Sequence, residues 1–126
     1  LQGLVDTLLA HHSARDLARL YGQDPDQALE AVHPVARTHD ETGEKALYVC
    51  AAFTKRFETW GGADSKALLE YLFEHAVRPE FQARHRWRPG DLVMWDNRCL
   101  LHYAVHDHED APRLLHRLQV RGVVPS

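Results

Sequence analysis

The sequence is poor in cysteine. Only Cys50 and Cys99 occur among its 126 residues, far apart and without a Cys-x-x-Cys pair. This pattern excludes a disulfide framework and a zinc ribbon. A reducing compartment is the default for such a chain, and we therefore expect a cytoplasmic protein.

Long apolar runs and an excess of positive charge are absent as well. No stretch approaches the roughly 20 apolar residues that a membrane helix needs, and the N-terminus lacks the basic-then-apolar order of a signal peptide. The formal net charge is -3, whereas phosphate binding requires clustered Lys and Arg. We expect neither a membrane nor a nucleic acid as partner.

The composition is that of an ordinary folded domain, with 44% hydrophobic and 26% charged residues. A chain of this length fits one domain at most. It begins at Leu1, without Met and in the middle of an apolar pattern. We expect it to be a piece of something longer.

The N-terminal 30 residues show apolar positions at roughly helical spacing. They are Leu4, Leu8, Leu9, Leu17 and Leu20. This spacing predicts one or two helices over Leu1 to Tyr21, and a helical connector over residues 1–30 as a whole. Gly22 to Asp26 and then Pro34 end the helical pattern, so that extended chain begins near His33.

Turn residues next separate two β-favouring runs. Asp40-Glu41-Thr42-Gly43 lies between residues 33–38 and 46–50, which predicts a hairpin. A helix over about residues 65–77 follows, because Asp64 or Ser65 can cap it and its apolar residues fall on one face.

Three further extended segments are predicted: residues 81–87, residues 91–95, and a stretch through His102 that returns as residues 113–121. The fold class is thus mostly β with inserted helices (α+β), arranged as a partial double-stranded β-helix, or jelly roll. We expect residues 1–126 to form one domain, with the jelly-roll strands over residues 33–126.

The most specific pattern lies in the last third of the chain. Trp95-Asp96-Asn97-Arg98 is followed by His102, by Arg113 eleven residues later and by Arg117 four residues after that. This pattern resembles the distal half of the TauD/TfdA motif, found in taurine-type Fe(II)- and 2-oxoglutarate-dependent dioxygenases, and the resemblance extends back to His33. It implies that His102 is the catalytic iron ligand, that Arg113 binds 2-oxoglutarate and that Arg117 binds substrate.

The same resemblance places Phe53 beside the substrate. The chemistry agrees, since such an iron site uses two His and one carboxylate, and a planar Arg fork matches the carboxylate of the cosubstrate. Residues 113 and 117 face the same side of a strand. If residues 106–112 form a hairpin connection, the strand bearing His102 lies beside the strand bearing Arg113.

By resemblance the protein is an enzyme that uses O2 to hydroxylate a small organic anion, taurine-, alkylsulfate- or aryloxyacetate-like. The His-x-Asp half of the iron site is missing, because His11 and His12 lie in a predicted helix with no carboxylate two residues on. We therefore expect a homo-oligomer or pairing with a missing N-terminal half.

Two other functions stay open. The chain could be a non-catalytic β-sandwich remnant that acts as an interaction or structural module, which the missing ligands favour. It could also bind zinc through the cluster of His106, Asp107, His108, Glu109 and Asp110. We interpret that cluster as a solvated hairpin tip, and Trp95, Asp96 and Asn97 as structural residues.

Overall fold

Short helices alternate with antiparallel strands in the computed structural model, which describes residues 1–123 and Pro125. The helices are α1 (Gln2–Val5), α2 (Arg15–Leu20) and α3 (Gly62–Ala76). The strands are β1 (Leu9–Ser13), β2 (Glu30–Pro34), β3 (Ala36–Thr38), β4 (Lys45–Leu47) and β5 (Thr54–Phe57). The predicted mixture of helices and β structure is confirmed.

Three strands form one sheet in the order β2-β1-β5, with β1 antiparallel to both neighbours. Ala10 at its centre pairs with His33 on one side and with Phe57 on the other. The register between β1 and β5 shifts between His11 and His12. Such a bulge bends the strand locally and redirects the side chain that follows it.

β3 and β4 form a two-stranded hairpin in which Arg37 pairs with Ala46. The His39 amide donates to the Glu44 carbonyl at 2.8 Å, and the turn is closed by Gly43 at a φ of +72°. Glycine tolerates this left-handed conformation because it has no Cβ. The predicted hairpin is confirmed.

The core lies between the sheet and α3. It is built from apolar side chains of the sheet, the connecting segments and the helix, namely Val5, Leu8, Ala10, Val35, Val49, Phe57, Leu69 and Leu72. Buried Ser65 ties α3 to β5, because its hydroxyl accepts from the Phe57 amide at 3.0 Å and donates to the Gly61 carbonyl at 2.9 Å. The predicted helix is confirmed, beginning three residues early and ending one residue early.

No helix among the described residues has the length and apolarity needed to cross a bilayer.

The prediction of a helical connector over residues 1–30 is wrong in part. Helices occur at α1 and α2, but Leu9–Ser13 is the central strand of the sheet. Its local apolar spacing suits a helix, yet pairing with two strands satisfies its backbone groups and buries Ala10 completely. His11 and His12 consequently lie on a strand.

The predicted strands at residues 81–87, 91–95 and 113–121 are not formed in the described part of the chain. A strand needs a neighbour for its backbone N–H and C=O groups, and here these segments lie in the open. Leu92, Met94, Leu118 and Val120 are each more than 90% exposed. The jelly roll stays a prediction, and residues 124 and 126 of its expected span lie outside the described residues.

Candidate functional site

Trp95 contacts two residues of the predicted site, His102 and Arg117. Its indole ring lies 5.0 Å from the His102 imidazole, centroid to centroid, with 47° between the ring planes. The Arg117 guanidinium carbon lies 5.9 Å from the centroid of the same indole, within cation–π range. Two residues that are 15 positions apart are therefore brought together by one aromatic side chain.

Arg113 and Phe53 are not joined to this contact. Arg113 is exposed and makes no side-chain hydrogen bond or ion pair within residues 1–123. Phe53 is 40% exposed in the turn before β5, where its carbonyl accepts from the Ser13 amide at 2.9 Å. The structure thus places both His102 and Arg117 against Trp95, and no contact given for Arg113 or Phe53 joins them to this ring.

The acidic, His-rich stretch forms a turn. The Ala111 amide donates to the His108 carbonyl at 2.9 Å, and Glu109 adopts a φ of +47°. The strands expected on either side are not paired, although Arg84 forms an ion pair with Asp107. Among the described residues this stretch contains no group of three close metal-ligating side chains.

Asp96, next to Trp95, is the centre of a polar network. Its carboxylate accepts from Arg98 Nε at 2.9 Å and Arg98 Nη2 at 2.6 Å, and from His39 Nε2 at 3.1 Å. It also accepts from the Arg98 amide at 2.8 Å. The hydrogen bonds from Arg98 and His39 hold the pKa of Asp96 well below its usual range.

The far end of Arg98 returns to the hairpin turn. Its Nη1 lies 2.9 Å from Asp40 Oδ1 and 3.0 Å from Glu41 Oε1. Together with Asp96 these carboxylates raise the pKa of Arg98 further above its already high value. Sequence reasoning assigned Asp96 to a structural role but missed His39 and Arg98, since no local pattern indicates a pairing across 57 residues.

The described residues contain one group of three metal-ligating side chains, His39, Asp96 and Cys99, whose ligand atoms lie within 4.8 Å of one another. His102 is not part of it. The exposed imidazole of His102 makes no hydrogen bond within the described residues, so a ring nitrogen is free to bind a metal. A metal bound there would lack a facial set of protein ligands, because His102 lies outside the one group of three close ligating side chains among the described residues.

A second cluster of rings lies at the polar end of the core. The rings of His12 and His33 are 5.3 Å apart, and both lie within 6 Å of the Tyr48 ring. Burial, with smaller effects from His33 and His11, lowers the pKa of His12 to about 4. Burial and the neighbouring charge of Arg37 lower the pKa of His33.

Comparison with known proteins places this geometry in context. The model of the family described as "Taurine catabolism dioxygenase TauD, TfdA family" matches residues 2–119. An alpha-ketoglutarate-dependent sulfate ester dioxygenase of Pseudomonas putida is 43% identical over 96 residues. An alpha-ketoglutarate-dependent 2,4-dichlorophenoxyacetate dioxygenase of a Burkholderia species is 40% identical over 124 residues.

The fold comparison agrees. The crystal structure of AAD-2 in complex with Mn(II) and N-oxalylglycine matches at a TM-score of 0.67 and 28% identity, covering 78% of this chain and 40% of that one. The Pseudomonas alignment covers 76% of this chain and 32% of the relative, and the Burkholderia alignment 97% and 41%. The chain thus spans well under half the length of the relatives that it matches.

Proposed function

Because the chain belongs to the TauD/TfdA family of dioxygenases, we propose that it carries the distal iron ligand and the anion-binding arginines of an Fe(II)- and 2-oxoglutarate-dependent dioxygenase. Enzymes of this family depend on Fe(II) and 2-oxoglutarate. The substrate is a small organic anion, such as an alkylsulfate, a sulfonate or an aryloxyacetate. The sulfate ester and dichlorophenoxyacetate enzymes among the relatives support this substrate class.

The observation that carries the proposal is the contact of His102 and Arg117 with Trp95. An imidazole that serves as a metal ligand must be held in one orientation by its neighbours. The Trp95 ring supplies such a neighbour at 5.0 Å, and the same ring holds the Arg117 cation within reach. The proposed metal ligand and the cation for the substrate's anionic group are thereby both held against the Trp95 ring.

Each arginine has a distinct task in this proposal. Arg113 forms two parallel hydrogen bonds with the distal carboxylate of 2-oxoglutarate, which a Lys could not reproduce. Arg117 binds the anionic group of the substrate. Phe53 contributes apolar surface beside the substrate.

When bound, iron and 2-oxoglutarate would supply oxidative chemistry with O2 as the oxidant: one oxygen atom would enter succinate as CO2 leaves the cosubstrate, and the other would become the hydroxyl group on a substrate carbon. The residues of this chain supply positioning. His102 fixes the metal relative to Arg113, and Arg117 places the substrate relative to both. Hydroxylation next to a sulfate or ether oxygen gives a product that breaks at that carbon, which is consistent with the proposed substrates.

Completion of the site requires a second His and a carboxylate. We propose that they come from a segment or a second chain that pairs with the exposed extended segments at residues 91–95 and 113–121. The exposed apolar side chains of these segments support this, since unpaired strand edges favour pairing. With that partner the extended segments would complete the jelly roll as a single domain.

The test is an anaerobic titration of the chain with Fe(II) and 2-oxoglutarate, following the visible charge-transfer band that chelation of this cosubstrate produces. With the site completed by the partner segment or chain, we expect a band that is abolished by His102→Ala and is reached only at higher 2-oxoglutarate concentration in Arg113→Gln. His106→Ala is the matched control, because it removes an exposed imidazole from the turn without touching Trp95.

Circular dichroism of each variant establishes that the fold is intact. A band that survives His102→Ala would refute the assignment of this residue. The absence of any band in folded wild-type chain would favour the alternative, a non-catalytic β-sandwich module. Metal binding that is insensitive to 2-oxoglutarate and is lost in His106→Ala would instead favour the zinc site at the turn.

A further inference from the structure

The turn between β3 and β4 is hydrogen-bonded to the segment that leads to His102. We propose that His39, Asp40 and Glu41 act as positioning residues for this segment through Asp96 and Arg98, and we call these five residues the clamp. The proposal rests on the proposed function, in which His102 is the metal ligand. The clamp itself is defined by hydrogen bonds that do not involve a metal.

The first part of the clamp is His39, whose ring is oriented by backbone amides of its own turn. His39 Nδ1 accepts from the amides of Glu41 at 3.2 Å and Thr42 at 3.3 Å. Two N–H donors on Nδ1 assign the ring proton to Nε2, which donates to Asp96 Oδ2 at 3.1 Å. The two amide donors of the turn therefore set the orientation and the tautomer of the His39 ring independently of Asp96.

The second part is the carboxylate of Asp96, which sits between His39 and the guanidinium of Arg98. Nε and Nη2 of Arg98 face its two oxygens, while Nη1 reaches back to Asp40 and Glu41. The Arg98 side chain is only 23% exposed. Hydrogen bonds between ionised partners that are partly shielded from water are stronger than those between neutral groups. The hydrogen bonds thus run from His39 to Asp96, from Asp96 to Arg98, and from Arg98 back to Asp40 and Glu41 in the same turn.

This arrangement is a clamp and not a metal centre, although Cys99 lies close to it. The Nε2 atom that would bind a metal carries the proton that it donates to Asp96. The oxygens of Asp96 already face a guanidinium, whose positive charge would repel a cation. A metal would have to break most of the hydrogen bonds of the network to bind there.

The clamp also connects residues 83–123 to the preceding part of the described chain. Within the described part of the chain, every hydrogen bond and ion pair between residues 83–123 and the preceding residues runs from Asp96 or Arg98 to the β3–β4 turn. Trp95 is adjacent to Asp96 and contacts both His102 and Arg117. Fixing Asp96 consequently fixes the aromatic ring on which the two functional side chains rest.

The experiment is nuclear magnetic resonance of the metal-free chain. In wild type we expect ¹⁵N shifts of His39 with a protonated Nε2, and a cross-peak between the rings of Trp95 and His102. Asp96→Asn cannot accept the paired hydrogen bonds of Arg98, and should lose this cross-peak while the cross-strand peaks between β3 and β4 remain. Asp107→Asn is the matched control, an exposed acid of the same segment, and should retain the peak.

A Trp95–His102 cross-peak that persists in folded Asp96→Asn would overturn the proposal. If that variant also loses the β3–β4 peaks, Arg98→Lys decides, because a single ammonium cannot bridge Asp96 to Asp40 and Glu41. Loss of the Trp95–His102 peak with the hairpin intact supports the clamp, and its retention refutes it. No metal is present, so this result is independent of whether His102 binds iron.

Discussion

Lowering the pH from 7.5 to 4.5 should destabilise the fold, and His12 is a main cause. Burial lowers the pKa of this imidazole from 6.5 to about 4. In the unfolded chain the ring takes up its proton near pH 6.5. A depressed pKa means that the unfolded state binds more protons, so the contribution to stability is complete above pH 6.5 and is lost as the pH falls toward 4.

The size of the effect follows from the difference between these two pKa values. That difference corresponds at most to about 3 kcal/mol of unfolding free energy. His12 is only part-buried, and solvent screening reduces the figure to roughly 1–2 kcal/mol. The pKa of the neighbouring His33 is lowered as well and adds to the loss in the same direction.

Urea unfolding at half-unit pH steps, followed by tryptophan fluorescence and circular dichroism, measures this dependence. His12→Gln removes the titrating group, and its stability should fall less between pH 6.5 and 4.5 than that of wild type. His106→Gln, in the exposed turn, should follow the wild-type curve. Asp16, Asp40 and Asp96 have lowered pKa values and lose their contributions at lower pH. Parallel curves for wild type and His12→Gln would refute the reasoning.

Two further predictions concern single side chains of the folded part. Ser65→Ala should lower the unfolding free energy by about 1–3 kcal/mol, because the buried Phe57 amide loses its acceptor. Ser13→Ala removes an exposed bond to Glu30 and a longer, part-buried bond from the Arg15 amide. It should change the urea midpoint less than Ser65→Ala, because water can reach these groups, and equal changes would contradict the argument. Gly43→Ala should cost about 1 kcal/mol because it forces an L-residue to a φ of +72°. Gly62→Ala at the start of α3, where a Cβ meets open space, should not lower the midpoint, and a loss as large as that of Gly43→Ala would count against the backbone explanation.

The parts of the fold that the sequence predicts well are those stabilised by local interactions. The apolar face of α3 and the turn residues Asp40 to Gly43 are readable over a few positions, and both elements form as expected. β1 could not be read in this way. Sixteen residues separate the end of β1 from the start of β2 and 40 separate it from the start of β5, and the burial of Ala10 depends on both partners.

For the candidate site, too, the local motif predicts which residues take part but not their long-range contacts. The motif identifies His102, Arg113 and Arg117 as residues with a shared chemistry, but it contains nothing about which side chains touch. His102 and Arg117 are brought together through Trp95, which sequence reasoning assigned to a structural role and which contacts both of them. The pairing of His39 with Asp96 across 57 residues is equally invisible to a local pattern.

The strands predicted beyond residue 82 also depend on partners distant in sequence. The extended segments beyond residue 82 have strand-like sequences, yet without neighbours their backbone groups gain nothing from leaving water. Side chains tie this region to the rest of the described chain where backbone ladders do not, through bonds from Asp96 and Arg98 to three residues of the β3–β4 turn. If those bonds form independently of the ladder, the geometry around Trp95 is set before any strand pairs with residues 91–95 or 113–121. A partner that completes the sheet would then meet a His102 already held in place, and would need to order only its own ligands.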